Sequence, residues 1–367
     1  MTTMAFDQGS VTFRVCGLPE AMPKDAVERF QKKAICELSE VGEEPAIGWV
    51  SGRNLLERRI DEGTAYCGTY MHLCLCQAQR KIPSALLNAH IRMAELVKMS
   101  ETQSTRLPRA EKKKIKEAIV AEMLPQMPPS LSGTWFVIDP AAELLYVSAS
   151  SPKQLELFMA YFTQTIGFEP LPLTPPMTAE ELLKVNPESI HPLNFSPDLA
   201  DANAAGSLGQ NFLTWLWFHL DQNHGRLPPT KDGEFGMLID GPLSFIAEGA
   251  SAQESVVRKG TPTVSPDARI ALITGKKLKQ AKILLARDRQ QWEVTLDADE
   301  FVFRGMKLPD GETLDDVSYF SERMEFIYQF QKVFFELFRR FVSEVKDEAK
   351  AAQIQAQAKA WVKGLAD

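Results

Sequence analysis

The sequence predicts an α+β fold of mixed antiparallel sheets and helices, on three observations. Apolar strand segments and amphipathic helical segments alternate without a steady strand–helix–strand rhythm, which disfavours a doubly wound sheet. Neighbouring strand segments are joined by short turn-forming stretches such as Asp139-Pro140-Ala141-Ala142-Glu143, which is hairpin chemistry. The C-terminal part repeats apolar residues at three- and four-residue steps, the mark of one long core-facing helix.

Taken in order, Val11–Leu18 reads as a first strand and Lys24–Leu38 as a helix with Val27, Phe30, Ala34 and Leu38 on one side. Gly48-Trp49-Val50 follows a Gly/Glu/Pro break, and Ala65–Ala78 is long enough for another strand. Pro83 separates that strand from a helix over Ala85–Met99, with Leu86, Ile91 or Ala94, and Val97 on one side. A further helix is expected to open near Pro108, since proline is accepted in a first turn, and to stop before Pro125. Thr134–Ile138 and Leu144–Ser148 form the hairpin, and Ser151-Pro152 opens an amphipathic helix that Gly167 ends. These elements, 1–175, constitute an N-terminal region with a basic helix over 108–124. Residues 176–210, rich in Pro, Asn, Asp, Ala and Gly, are expected to be an irregular linker.

A β-rich region over 211–312 begins with a short aromatic helix, Asn211–Leu220. Gly236–Ile246, Lys282–Ala286, Trp292–Leu296 and Phe301–Phe303 read as antiparallel strands, with a helix over Asp267–Ile273 among them. Residues 313–367 form the long helix, from about Leu314, and a tail. After Asp347 the tail stays helix-prone but loses most of its apolar face, so it is expected to fray.

Composition bounds the function. Hydrophobic residues at 44% and charged residues at 24% describe an ordinary globular protein, and no apolar run is long enough for a membrane span. Five unpaired-looking cysteines and an N-terminus without a secretion pattern point to the cytoplasm. The net charge of −7 argues against a polyanionic partner only if charge is evenly spread. It is not. Arg106–Lys116 holds six basic residues against one acid, including Arg109, Lys112, Lys113 and Lys116. Lys276, Lys277, Lys279 and Lys282 form a second cluster that continues to Arg287 and Arg289, with Arg258, Lys259 and Arg269 upstream. Such lysines can neutralise phosphates and give salt-sensitive, sequence-blind affinity, although a basic helix face is as readily a merely solvated one. No zinc-finger, RNP or helix-turn-helix pattern accompanies them, so base reading is not expected.

Enzymatic readings are weaker. Asp297, Asp299 and Glu300 are closely spaced, as a metal-dependent nuclease would want, yet they lie where an Asp-rich hairpin turn belongs. His72, Cys74 and Cys76 share a strand face but lack a fourth ligand, so a buried apolar role is expected. Phosphate-loop and dinucleotide motifs are absent, and no cofactor, metal or catalytic residue is assigned. The rings of Phe212, Trp215 and Trp217 could stack bases, but so dense a cluster belongs to a core or an interface.

The ordered set Gly48-Trp49-Val50, Arg80-Lys81-Ile82-Pro83, the helix Glu111–Glu117 ending Met123-Leu124-Pro125, Thr134–Asp139, Leu144–Ser148 and Phe168–Leu173 resembles the N-terminal half of the RdgC family. The patch Gly275–Gln280, the strand ending at Asp297 and the terminal helix resemble its C-terminal half more loosely, and Phe212–Phe218 resembles a long-chain branch. The resemblance implies a horseshoe-like subunit closing into a ring-shaped homodimer around duplex DNA. It also implies nucleoid association, little sequence preference (single strands are also admitted) and antagonism of the strand-exchange recombinase. The family's loop after the Leu-Pro helix end carries a basic residue and an aromatic; here Gln126–Ser132 has neither, and Leu131 offers only an apolar contact. Two other readings stand beside this one, a metal-dependent exonuclease and an interaction scaffold that binds no DNA.

Overall fold

The computed structural model describes residues 6–201, 205–247, 253–258, 262–313 and 315–364. Its centre is a 12-stranded antiparallel sheet flanked by helices. In the N-terminal part these are β1 (Val11–Gly17), α1 (Ala26–Lys32), β2 (Ala46–Ser51), α2 (Glu62–Ala65), β3 (Tyr66–Cys67) and β4 (Tyr70–Arg80). There follow α3 (Ser84–Glu101), α4 (Arg109–Met123), β5 (Pro129–Asp139), β6 (Leu144–Val147), α5 (Pro152–Ile166), β7 (Leu171–Pro172) and α6 (Pro175–Met177). The C-terminal part contains α7 (Leu208–Gln222), β8 (Gly236–Ala247), β9 (Gln253–Val257), α8 (Pro266–Ile273), β10 (Lys277–Arg287), β11 (Gln290–Asp297), β12 (Val302–Lys307), α9 (Asp316–Val345) and α10 (Glu348–Gly364).

The strand path runs β2-β4-β5-β6-β1-β12-β11-β10-β8-β9. β1 joins its two parts, because Val11 and Phe13 pair Met306 and Phe303 of β12, while Arg14–Gly17 pair Leu144–Val147 of β6. On one face of the N-terminal strands α1 and α5 bury a ring cluster: Phe30 stands 5.0 Å from Trp49, and Phe136 stands 5.2 Å from Phe158. Trp49 Nε1 donates to Thr165 Oγ1 at 2.9 Å, so the cluster's one buried polar group is satisfied. α5 has the ends its sequence dictates, a Ser151 side-chain cap and Gly167 in the left-handed conformation.

In the C-terminal part α7 is buried at every position from Gly209 to Leu220, between β10 and α9. Phe212 meets Phe334 and Phe338 of α9 edge-on at 5.4 and 5.1 Å. The aromatic helix is therefore core, and its rings present no base-stacking surface. Gly209 lets α7 pass the β11–β12 turn, since a Cβ there would stand 1.8 Å from the Ala298 carbonyl oxygen.

Several expectations need correction. α1 stops at Lys32 rather than Leu38 because Ile35 N–H donates to Trp49 O, drawing the chain alongside β2. That approach requires Gly48, where a Cβ would lie 2.5 Å from the Ile35 nitrogen. The strand expected at Ala65–Ala78 is two, β3 and β4, turned at Gly68 with φ of 62°. β5 starts at Pro129, with Leu131 paired to Ala78, so most of the expected 126–132 loop is sheet. Leu131 packs partly buried against the core instead of reaching outward. Within 176–210, Leu193 and Phe195 are buried, with Asn211 Oδ1 accepting from Leu193 N at 2.8 Å. The tail does not fray: α10 folds back and buries Ala358, Trp361 and Val362, Trp361 Nε1 donating to Asp221 at 2.7 Å. β9 was not foreseen. Leu314 and Lys259 lie outside the described residues.

Candidate nucleic-acid interface

The first basic cluster sits on a helical hairpin inserted between β4 and β5. α3 and α4 make their contacts chiefly with each other, and α4 buries none of its residues. The hairpin is fixed at its base by Arg80, whose guanidinium donates to Val41 O at 2.8 Å, Leu38 O at 3.0 Å and Pro125 O at 3.3 Å, and also to Met127 O. Between the helices lies buried Glu95, 3.7 Å from Arg92 and 3.4 Å from Lys112.

Arg109, Lys112, Lys113, Lys114 and Lys116 are all exposed on α4. Lys112 is shared with Glu95, and Lys113 with Glu117 at 3.6 Å. Arg109, Lys114 and Lys116 make no ion pair among the described residues. The cations occupy the first eight residues of α4, Arg109–Lys116, which at 1.5 Å per residue span ~11 Å, enough to meet a few phosphates. On α3, Leu86, Met93, Leu96 and Val97 are also exposed, leaving an apolar row uncovered.

The second cluster is less available. Lys277 is only 4% exposed, and its ammonium donates to Asn211 Oδ1 at 2.7 Å and to the Ala205 carbonyl. It is a structural cation holding the entry to α7, and its assignment as a surface DNA contact is corrected. The burial follows from the start of β10, where Lys277 and Leu278 both turn inward ahead of a register shift. Lys276 donates to Ser255 Oγ of β9 at 2.6 Å and is half-buried, as is Lys279. Lys282 lies 3.2 Å from Glu293, which also holds Lys307 at 3.0 Å and is thereby kept below the usual carboxylate range. Arg304 is similarly matched by Asp297 at 3.1 Å. The β10–β12 surface is thus mixed in charge: Glu293 and Asp297 offset part of it, while Lys276 and Lys279 make no ion pair among the described residues.

Nor are the two clusters neighbours in the sheet. Between β5, which receives α4, and β10 lie five inter-strand steps, or ~24 Å along the sheet.

The three acids do not converge. Asp297 pairs with Arg304 and accepts from Gln280; Asp299 accepts from Ser207 at 2.5 Å and Gln210 at 2.8 Å; Glu300 pairs with Arg14 at 3.0 Å. Each carboxylate is spent on a different part of the framework. Among the described residues no group of three or more His, Cys, Asp or Glu side chains could hold a metal ion. His72 is buried, stacked on Phe320 at 4.9 Å, with Nδ1 3.5 Å from Asp7 Oδ1 and neither ring nitrogen hydrogen-bonded among the described residues, and burial holds its pKa down to about 3. Cys74 and Cys76 are buried thiols whose pKa burial raises. No described helix is long and apolar enough to cross a membrane.

Residues 17–185 match the model of a protein family described as "Putative exonuclease, RdgC". Over this region the chain is similar to the RdgC family. A stretch of 109 residues is also 30% identical to the "Recombination-associated protein RdgC" of Psychromonas ingrahamii. That stretch covers 29% of this chain and 35% of the relative. The RdgC match contains the whole α3–α4 hairpin, whereas Lys276–Lys282 lies beyond it.

Proposed function

We propose that this protein binds duplex DNA without sequence preference, acts in recombination, and uses the exposed cations of α4 as its principal phosphate contacts. The observation that supports this most is the α4 surface itself. Five cations stand on one unburied helix, held away from an otherwise acidic chain of net charge −7. No base-reading element accompanies them, so affinity comes from counterion release and is blind to sequence. Lys276, Lys279 and Lys282 give weaker, secondary contacts, since two of them are engaged with Ser255 and Glu293.

The encircling arrangement is part of the proposal. A second copy would cover the apolar row Leu86, Met93, Leu96 and Val97, which no part of the described chain covers. Two subunits meeting through their hairpins would bring two cationic α4 rods to one duplex, and a protein closed around DNA would restrain the strand-exchange recombinase by occupying its substrate. Catalysis is not part of the reading, because Asp297, Asp299 and Glu300 diverge.

Fluorescence anisotropy of a labelled random-sequence duplex, titrated across a salt series with and without magnesium, tests the proposal. Tight binding that weakens steeply with salt and leaves the DNA intact is expected. Absence of binding at low salt would leave the interaction scaffold, and magnesium-dependent cleavage would restore the exonuclease reading.

A further inference from the structure

A second polar site lies away from both basic clusters. α9 and α10 meet at Lys346-Asp347, and with α7 they border an open cleft of about 790 Å³. Ligand sites for small molecules span ~300–1,000 Å³, so the size is suitable. Its walls bring Arg340 and Lys350 together with the carboxamides of Gln222, Asn223, Gln353 and Gln357. Glu344 is the only acid of the lining, and Arg340 Nε already donates to it at 2.9 Å. The terminal nitrogens of Arg340 have no protein acceptor among the described residues, and Lys350 makes no ion pair there.

His219 also lines the cleft, stacked on Trp215 with ring centres 4.7 Å apart. Burial, helped by the positive charge of Arg340, holds its pKa down to about 4, so the ring is neutral at pH 7. Asn223 Nδ2 donates to His219 O at 2.7 Å and lies 3.5 Å from His219 Nδ1. Nε2 is buried behind the cleft wall and makes no hydrogen bond among the described residues. Two cations and a set of carboxamides therefore converge on one cleft whose single carboxylate is already matched by Arg340 Nε.

We propose that this cleft binds a small polar anion, its carboxylate or phosphate oxygens lying between Arg340 and Lys350 and its other polar groups meeting the carboxamides. The site is built from α7, α9 and α10 and uses no residue of the DNA reading, so either proposal can fail alone.

The test is calorimetric titration of the full chain with citrate and, separately, inorganic phosphate, at fixed ionic strength. Two variants accompany it: Arg340→Gln/Lys350→Gln, which removes the charge, and Gln357→Phe, which fills the cleft from an exposed position of α10. Each charge-assisted hydrogen bond lost weakens binding by about tenfold or more. Saturable binding of either anion that is about tenfold weaker or lost in both variants, with melting temperatures unchanged in the absence of ligand, is the expected result. No saturable binding of either anion overturns the proposal. So does binding that both variants retain, or a loss of duplex affinity in the charge variant without any small-anion binding.

Discussion

Trp361→Ala is expected to release α10 from the body of the protein while leaving the rest folded. Trp361 is 7% exposed, lies edge-on to Trp217 at 5.1 Å, contacts Phe218 at 5.6 Å and donates to Asp221 at 2.7 Å. With Ala358 and Val362 it accounts for all the buried side chains of this 17-residue helix. Truncating a buried Trp costs about 3–5 kcal/mol, and a helix of this length alone in water is marginal, so little would hold it once the ring is gone. Converted at 1.4 kcal/mol per decade, amide protection over 348–364 falls by about a hundredfold to a few thousandfold. Hydrogen exchange read by mass spectrometry measures this directly, with α9 as the internal control. Unchanged protection of 348–364 would refute the argument that Trp361 anchors the tail.

Three further outcomes follow from the packing. Gly209→Ala drives a methyl group into the Ala298 carbonyl, so α7 must move off the β11–β12 turn. A loss of several kcal/mol, about the cost of an overpacked core, is expected in urea denaturation. His72→Phe keeps a ring on Phe320 and removes two buried nitrogens that make no hydrogen bond, together with the 3.5 Å approach of Nδ1 to Asp7. Burial lowers the folded pKa of His72 to about 3, so the wild type loses stability as pH falls from 6.5 toward 3, by about 1.4 kcal/mol per unit. Asp7, raised to about 6 by burial, acts in the opposite sense between its ordinary value and 6, and because it lies 3.5 Å from His72 Nδ1 the Asp7→Asn background is used for both proteins. The wild-type-minus-variant slope of urea midpoints between pH 4 and 6 reads the histidine contribution. Equal slopes would contradict it. Lys277→Ala removes a buried ammonium from Asn211 and Ala205; it is expected to lower the melting temperature while leaving the salt slope of DNA binding within about half a contact of wild type.

Much of the fold was legible because its elements carry local signals. Ser151-Pro152 and Gly167 bound α5 as read, and the stripe from Phe320 to Val345 gives α9. What was missed depends on distant partners. Nothing in Lys33–Leu38 announces that Trp49 will take its backbone hydrogen bonds, and nothing in the Ala/Gln/Lys tail announces that Trp217 and Asp221 await Trp361. The candidate site divides in the same way. Cations spaced along a helix with no buried face are visible as a pattern, and α4 bears them outward. The run Lys276-Lys277-Leu278-Lys279 reads as uniformly basic, yet one lysine of it is core, because strand direction at a register shift is a tertiary property. Of the hairpin's apolar row, Leu86 and Val97 were read on one side of α3; Met93 and Leu96, and the row's staying uncovered, required the structure.

The central claim is tested most directly by the salt dependence of duplex binding in wild type and in Lys113→Gln/Lys114→Gln/Lys116→Gln. Each phosphate contact contributes about 0.9 to the slope of log affinity against log salt, so losing three lysines lowers the slope by about 2–3. The account predicts that decrease, with weaker binding on every sequence and no cleavage in magnesium. A variant that binds as tightly and with the same slope as wild type would contradict it.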